Sequence, residues 1–221
     1  MADSGPDPIN PTSQFDEAFR DQLTELIRWR RDVRRFRTDP VPGPLLDELF
    51  DLACLAPSVG NSQPWRFVRV ISDDKRAALL DNFKTANKDA LDGYGDEHAT
   101  LYAKLKLSGL QEAPILLATF TDGSVTQGHG LGRQTMPETL DYSTVSAIHT
   151  LWLAARAEGL GVGWVSIIDP KAVTKSLDVP SGWRFTALLC IGWPSDTDTV
   201  PELERAGWQA RDTLCRKVLE R

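Results

Sequence analysis

The sequence predicts a domain that combines α-helices with a β-sheet. Helical periodicity recurs along the chain and is clearest from Thr139 to Ala157, while short strand-like runs separate the helical segments. One of these runs, Pro114 to Phe120, is continuously apolar, which is typical of a strand buried on both faces. The chain has 221 residues, 41% of them hydrophobic, and can therefore bury a substantial core. This size suits one large domain or two small ones.

The N-terminal half predicts several helices around two strands. Residues 1–14 are rich in Pro, Asp and Ser and predict a flexible segment, so we expect the folded domain over residues 15–221. Apolar residues recur every four positions from Phe15 to Ile27 and form the stripe of a first helix. The other elements expected here are helices over 45–56, 73–87 and 97–110, and strands over 66–71 and 114–120.

The C-terminal half centres on the predicted helix over 139–157. It is apolar around most of its circumference, which places it in the centre of the domain or at a subunit interface. The glycine-rich stretch 122–138 before it is long for a simple connection and predicts a functional loop or lid. Strands over 163–168 and 185–193 and a helix over 170–177 follow. The charged tail retains Trp208, Leu214 and Val218, which a partner subunit could cover.

Composition excludes several classes of protein. The net charge of -6 and the pI near 5.1 argue against nucleic-acid binding, which needs positive charge spread over a face. No apolar run approaches the ~20 residues that span a bilayer, and the first residues lack the features of a signal peptide. The three cysteines are far apart and predict neither a disulfide framework nor a zinc site. We therefore expect a cytoplasmic protein without a metal, a membrane or a nucleic-acid partner.

Common catalytic and nucleotide-binding motifs are also missing. Gly128, Gly130 and Gly132 do not have the GxGxxG spacing of a dinucleotide site, and no helix is predicted directly after them. Ser166 lacks the GxSxG surroundings of a hydrolase nucleophile. The histidines are isolated from one another and from acidic partners at metal-binding spacing.

An arginine-rich segment, residues 30–37, contains five arginines around one carboxylate, Asp32. Guanidinium groups present a fixed fork of donors that suits phosphate. In an extended chain, Arg30, Asp32 and Arg34 would point to one side. The pattern indicates an anion site with an acid inside it, although a solvated basic turn has the same composition.

The turn-rich loop over 57–64 offers the amide and hydroxyl groups of Asn61, Ser62 and Gln63 between two prolines. Such groups can recognise the edge of a polar planar heterocycle. The same residues are equally typical of turn chemistry.

Taken in order, the arginine-rich segment, the stretch 56–65 and the stretch 158–164 (EGLGVGW) resemble the nitroreductase superfamily of flavin proteins. The resemblance runs from about Leu26 to Trp208 and implies an α+β fold. A central mixed β-sheet would be flanked by helices in an intertwined homodimer, with two flavin sites at the interface.

The acid at Asp32, where ordinary members usually carry Ser or Thr, narrows this resemblance to members that consume flavin. The stretches 105–107, 136–139 and 163–166 add to it. It implies that reduced FMN is a substrate, that O2 is the co-substrate, and that the flavin is fragmented to 5,6-dimethylbenzimidazole, the lower ligand of vitamin B12. A separate flavin reductase would supply the reduced FMN.

The resemblance also implies roles for individual residues. Asp32 is the expected general base, and Ser166 is expected to pass protons or position oxygen. Arg30 and Arg34 fit the flavin phosphate, with Arg211 of the partner subunit completing the phosphate site. The other residues expected to border the flavin are Arg31, Val33, Ser58, Asn61, Gln63 and Leu107.

Three other functions fit the same resemblance. The chain could be an NAD(P)H-dependent flavin reductase or nitroreductase that retains FMN as a cofactor. It could reduce a cobalt corrin with NADH. A flavin carrier without catalysis is the non-enzymatic alternative, but an acid among phosphate-binding arginines would repel the anion that a carrier stores.

Overall fold

The computed structural model describes residues 15–212 and 214–221. The predicted flexible segment over 1–14 lies outside these residues. The helices are α1 (Glu17–Trp29), α2 (Gly43–Ala53), α3 (Asp73–Asp92), α4 (Asp96–Lys104), α5 (Thr139–Ala157), α6 (Pro170–Leu177) and α7 (Glu202–Arg205), with a 3-10 turn at Val59–Asn61. The strands are β1 (Trp65–Arg69), β2 (Ile115–Asp122), β3 (Gly161–Val165) and β4 (Trp183–Gly192).

The four strands form one sheet in the order β1-β2-β4-β3, and each neighbouring pair is antiparallel. Strand β3 is therefore at an edge. The resemblance implied a mixed sheet; here a parallel pairing is added by an isolated bridge between Asp32 and Val162 on the outer side of β3. The α+β class is confirmed.

Helices cover both faces of the sheet. All eight residues of β2 are buried, as its apolar run predicted, and successive side chains enter two different cores. Leu117 packs with α2 and α5 on one face, whereas Leu116 packs with α3 and α6 on the other. The three layers place β3 and its outer edge beside α5.

The best-predicted elements carry strong local signals. Helix α5 spans the predicted residues and ends where Gly159 adopts a φ of +81°. Helix α6 also spans the predicted residues, because Asp169 caps it and Pro170 occupies its first position. Helix α5 lies in the centre of the domain, one of the two places expected for it.

Several element boundaries differ from prediction, and one helix was not predicted. Helix α4 ends at Lys104 rather than near residue 110, because the backbone turns extended at Leu105. Strand β3 begins at Gly161 rather than at residue 163. Gly159 and Gly161 both fit the end of a helix, so the sequence did not show that the second of them begins the strand. The four-residue helix α7 was not predicted, since it is too short to show a periodic pattern.

Helix α1 forms where predicted, but it buries no residue within the described chain. Four of its apolar side chains remain 38–52% exposed, as does Phe15 just before the helix: Phe19, Leu23, Ile27 and Trp29. In the described part of the chain, no helix combines the length and the apolar character needed to cross a membrane.

Candidate active site

The arginine-rich segment extends the sheet along the free edge of β3. The N–H of Val33 donates to the carbonyl of Val162 at 3.0 Å, and the N–H of Trp164 donates to Asp32 Oδ1 at 2.8 Å. An edge strand presents unpaired backbone groups of this kind. The segment therefore follows β3 in a fixed register, which determines where each of its side chains lies.

Two glycines of β3 make this close approach possible. A Cβ on Gly163 would lie 2.0 Å from the carbonyl oxygen of Val33, and one on Gly161 would lie 2.7 Å from a methyl carbon of Val33. Neither position has room for a side chain. This contact explains why the GLGVGW stretch accompanies the arginine-rich segment in the sequence.

Asp32 is held from two sides. In addition to the Trp164 N–H, its Oδ2 accepts a hydrogen bond from Arg34 Nε at 2.8 Å, and 32% of the carboxylate side chain remains exposed. Burial raises the pKa of Asp32 above its usual value, opposed by the Trp164 N–H and by the Arg34 cation. The carboxylate is thus fixed in position and has a raised affinity for a proton, as a general base requires.

Arg34 links Asp32 to the loop after α4. Its Nη1 donates to the carbonyl of Lys106 at 3.1 Å, and only 13% of its side chain is exposed. Leu107, predicted to border a flavin, is the next residue and is half-buried. The structure therefore brings the residue before Leu107 into contact with Arg34, over a long separation in sequence.

A cationic cleft of about 360 Å³ opens beside Asp32. Arg30, Arg31 and Arg211 line it, together with Ile27, Arg28 and Pro201. Burial and the neighbouring Arg30 and Arg211 lower the pKa of Arg31. The Arg30 guanidinium lies over the Trp152 ring, 5.1 Å from its centroid. Four arginines line the cleft, and Arg28 is paired with Glu25. Arg211 of the same chain is one of the other three, where a partner's arginine was expected.

The remaining arginines of the segment bind the protein itself. Arg35 forms an ion pair with Glu202, and Arg37 forms one with Asp39 at 2.8 Å. Arg31 also donates from Nε to the carbonyl of Thr199 at 2.6 Å. The segment is thus joined to the C-terminal arm, which we define as residues 196–212.

The loop over 57–64 packs against the glycine-rich loop over 123–138. Gln127 Nε2 donates to the carbonyl of Asn61 at 2.7 Å and to Gln63 Oε1 at 3.2 Å. Ser58 Oγ accepts from the Gln63 N–H at 3.1 Å, which closes the turn. Ser58, Asn61 and Gln63 therefore form a second group of candidate site residues, on a loop with positive φ angles at Asn61 (54°) and Gln63 (46°).

Ser166 comes directly after β3, two residues beyond Trp164, and is exposed. Across residues 15–212 and 214–221, no group of three or more His, Cys, Asp and Glu residues could hold a metal ion.

Sequence reasoning missed the backbone groups that fix the site. The Trp164 N–H and the carbonyls of Lys106 and Thr199 each bind a residue of the arginine-rich segment. Backbone donors and acceptors leave no signature in a sequence. The GLGVGW stretch was the one available signal, since Trp164 lies within it.

Comparisons with known proteins show the family to which the chain belongs. The model of the nitroreductase family matches residues 27–193, and the chain belongs to this family. It is 58% identical to a 5,6-dimethylbenzimidazole synthase of Rhodospirillum rubrum over 197 residues, which covers 89% of the chain and 93% of that protein. It is 54% identical to a 5,6-dimethylbenzimidazole synthase of Rhodobacter capsulatus over 88% of the chain and 94% of that protein.

A solved structure gives the same fold. Oxidized iodotyrosine deiodinase bound to FMN and 3-iodo-L-tyrosine matches with a TM-score of 0.70 and 25% sequence identity, over 90% of the chain and 97% of that structure. The predicted nitroreductase-like fold is confirmed, as is the similarity to 5,6-dimethylbenzimidazole synthases, the name that both relatives above carry. Family and relatives together place the chain among oxidoreductase enzymes.

Proposed function

We propose that this chain is a 5,6-dimethylbenzimidazole synthase that fragments reduced FMN with O2. The observation that carries the proposal is a fixed carboxylate, Asp32, in a cleft lined by four arginines. The synthase relatives at 54–58% identity support it. So does the FMN bound by the structurally similar deiodinase. The products would include dimethylbenzimidazole and a four-carbon sugar phosphate, with the pyrimidine part of the flavin ring released separately.

The cleft suits the phosphate of FMN. Arg30, Arg31 and Arg211 offer several guanidinium donors in a small volume, and phosphate accepts such donors as charge-assisted hydrogen bonds. Convergent cations are unfavourable without an anion, and a bound phosphate removes that cost. Arg34 lies deeper, where its bond to Asp32 gives it the further task of holding the carboxylate.

Asp32 acts as the general base toward the ribityl chain. A phosphate in the cleft would leave the adjoining ribityl carbons near the cleft rim, where the carboxylate lies. The Trp164 N–H and Arg34 fix its orientation, and its raised pKa makes it a stronger base than an ordinary aspartate. Ser166, beyond β3, would pass protons or position O2.

The rest of the site comes from the second group and from a partner. The loop bearing Ser58, Asn61 and Gln63 would recognise the flavin ring, and Val33 and Leu107 would border it. The loop over 123–138 would cover the site and exclude water.

We propose a homodimer with its sites at the interface, because the exposed apolar stripe of α1 adjoins the arginine-rich segment. A separate flavin reductase would supply reduced FMN.

The direct test is product formation. The protein is incubated with FMN, NADH, a flavin reductase and air, and dimethylbenzimidazole is sought by mass spectrometry. Its appearance only with both reductase and O2 supports the proposal. Rapid oxidation of NADH by the purified protein alone would instead indicate a nitroreductase or flavin reductase, and corrin-dependent NADH oxidation a corrin reductase. Recovery of intact FMN with neither activity would indicate a carrier.

Asp32→Asn separates binding from chemistry in the same assay. The amide retains the shape of the carboxylate but cannot act as the base, so we expect FMN binding without dimethylbenzimidazole. General-base contributions of about 10²–10⁴-fold make the loss easy to detect. An unchanged product yield would remove Asp32 from the catalytic role.

A further inference from the structure

The C-terminal arm is anchored by one aromatic side chain. The Trp208 ring meets Tyr94 edge-on, with centroids 5.5 Å apart, and lies 6.1 Å from the centroids of both His98 and Tyr102. Tyr94 and Tyr102 also contact each other at 5.0 Å. These rings belong to α4 and the turn before it. Edge-to-face contacts of this kind stabilise a defined orientation rather than a loose association.

The backbone delivers Trp208 to that cluster through a tight turn. After α7, Gly207 adopts a φ of +74°, which favours glycine, and the Trp208 N–H donates to the carbonyl of Leu203 at 2.8 Å. Upstream, the arm is already held by the Arg31–Thr199 hydrogen bond and the Arg35–Glu202 ion pair. Trp208 is thus the last strong attachment before Arg211, three residues further on.

Arg211 gains from such an attachment because arginines outnumber the one carboxylate, Asp32, in the lining of its cleft. It lines the same cleft as Arg30 and Arg31, and its charge contributes to the lowered pKa of Arg31. Like charges at short distance favour an arm that moves away from the cleft. The aromatic contact opposes this repulsion without neutralising the cations, which leaves their charge for an incoming anion.

We propose that Trp208 is a positioning residue: its contact with Tyr94, His98 and Tyr102 holds Arg211 in the cleft and so sets the preference for FMN over riboflavin. This inference rests on the proposed function, because it takes the cleft to be the phosphate site of a flavin. Riboflavin shares the ring and the ribityl chain of FMN and lacks only the phosphate. The affinity for riboflavin therefore measures every flavin contact except those made by the phosphate, which include the contact with Arg211 of the arm.

The test compares the two flavins on full-length variants. Dissociation constants are measured by quenching of flavin fluorescence for the wild type, Trp208→Ala and Trp208→Phe. We expect Trp208→Ala to weaken FMN about tenfold, the loss typical of one hydrogen bond to a charged group, and to leave riboflavin within about twofold. Phenylalanine keeps an edge-to-face contact and should restore most of the FMN affinity.

A double variant tests the route through Arg211. Arg211→Ala should weaken FMN about tenfold in the wild type and add little in the Trp208→Ala background, because the arm is already displaced there. Leu214→Ala, which removes an exposed apolar side chain further along the tail, is the matched control and should leave both flavins unaffected. Thermal unfolding verifies that each variant is folded. If Trp208→Ala does not fold, Tyr94→Ala breaks the same contact from the other side.

Equal weakening of FMN and riboflavin would overturn the proposal, as would an undiminished effect of Arg211→Ala in the Trp208→Ala background. These outcomes are distinct from failure of the proposed function. A wild-type protein that makes no dimethylbenzimidazole would refute the synthase assignment, while the comparison of the two flavins would still decide the role of Trp208.

Discussion

The buried carboxyl group of Asp32, the proposed catalytic base, stabilises the fold less when it is ionised than when it is protonated. Burial raises its pKa, so the folded chain binds its proton more tightly than the unfolded chain. The stabilisation from this carboxyl group is present below the unfolded pKa of about 3.9 and is lost as pH rises through the folded pKa. An ionised Asp32 therefore costs free energy of folding in the pH range where a base is useful.

The upward shift of the Asp32 pKa predicts how Asp32→Asn affects stability. Asparagine has no such proton to lose, so the free energy of unfolding of the variant, relative to wild type, should increase as pH rises from about 4 toward 7. Urea unfolding at a series of pH values measures it. Asp39→Asn is the control: Arg37 lowers the pKa of the exposed Asp39, so its effect on stability lies below about pH 4, and the relative stability of this variant should stay nearly constant over the same range. A relative stability of Asp32→Asn that falls over this range would contradict the account.

Ser166 carries a second prediction at this scale. Its hydroxyl is proposed to pass protons or position O2. Ser166→Ala should therefore lower the yield of dimethylbenzimidazole, and O2 should instead oxidise reduced FMN to FMN with release of hydrogen peroxide. Ser166 is exposed and lies outside the hydrophobic cores, so its replacement should change stability by less than about 0.5 kcal/mol. Product mass and a peroxide assay measure the two effects. A normal yield without additional peroxide would count against the role.

At the scale of the element, the edge of β3 determines where the arginine-rich segment lies. Gly163→Ala would place a methyl carbon 2.0 Å from the Val33 carbonyl, and the segment would have to move. We expect a loss of about 1–3 kcal/mol in the free energy of unfolding, together with weaker FMN binding. Urea unfolding and flavin titration check both.

Gly43→Ala is the matched control for that prediction. Gly43 begins α2, and a Cβ there would meet nothing within 4 Å. This substitution should change stability by less than about 1 kcal/mol and leave FMN binding unchanged. Similar small effects of the two substitutions would mean that the segment does not depend on its fit against β3.

The elements also show what the sequence could predict. Helices α5 and α6 were placed at their observed ends, because Gly159 and the Asp169–Pro170 pair are local signals. Strand β2 was recognised from its apolar run. Only the side chains of the site could be predicted, because the arginines and Asp32 are visible in the sequence. Their backbone partners, from β3, the loop after α4 and the arm, depend on contacts between distant residues.

At the scale of the whole molecule, the exposed apolar residues of α1 form a surface that a second copy of the chain would cover. Phe19 and Leu23 are each 40% exposed on a helix that buries no residue. Exposed apolar patches of this kind mark interaction surfaces. The tail adds Leu214, Val218 and Leu219, each at least 75% exposed.

The prediction is a homodimer that α1 stabilises. Sedimentation should give twice the chain mass of 24.5 kDa, and Phe19→Lys should shift the chain toward the monomer, because a charge would be buried at the interface. Ile71→Lys introduces the same charge at a residue that is 77% exposed outside α1 and should leave the dimer intact. A wild-type chain that sediments as a monomer would contradict this assembly.

A crystal structure of the full chain with FMN would show whether the arginine cleft and Asp32 form the flavin site. We expect the phosphate against Arg30, Arg31 and Arg211, with the Asp32 carboxylate facing the ribityl carbons. A flavin whose ribityl chain lay far from Asp32, or whose phosphate lay outside the arginine cleft, would contradict it.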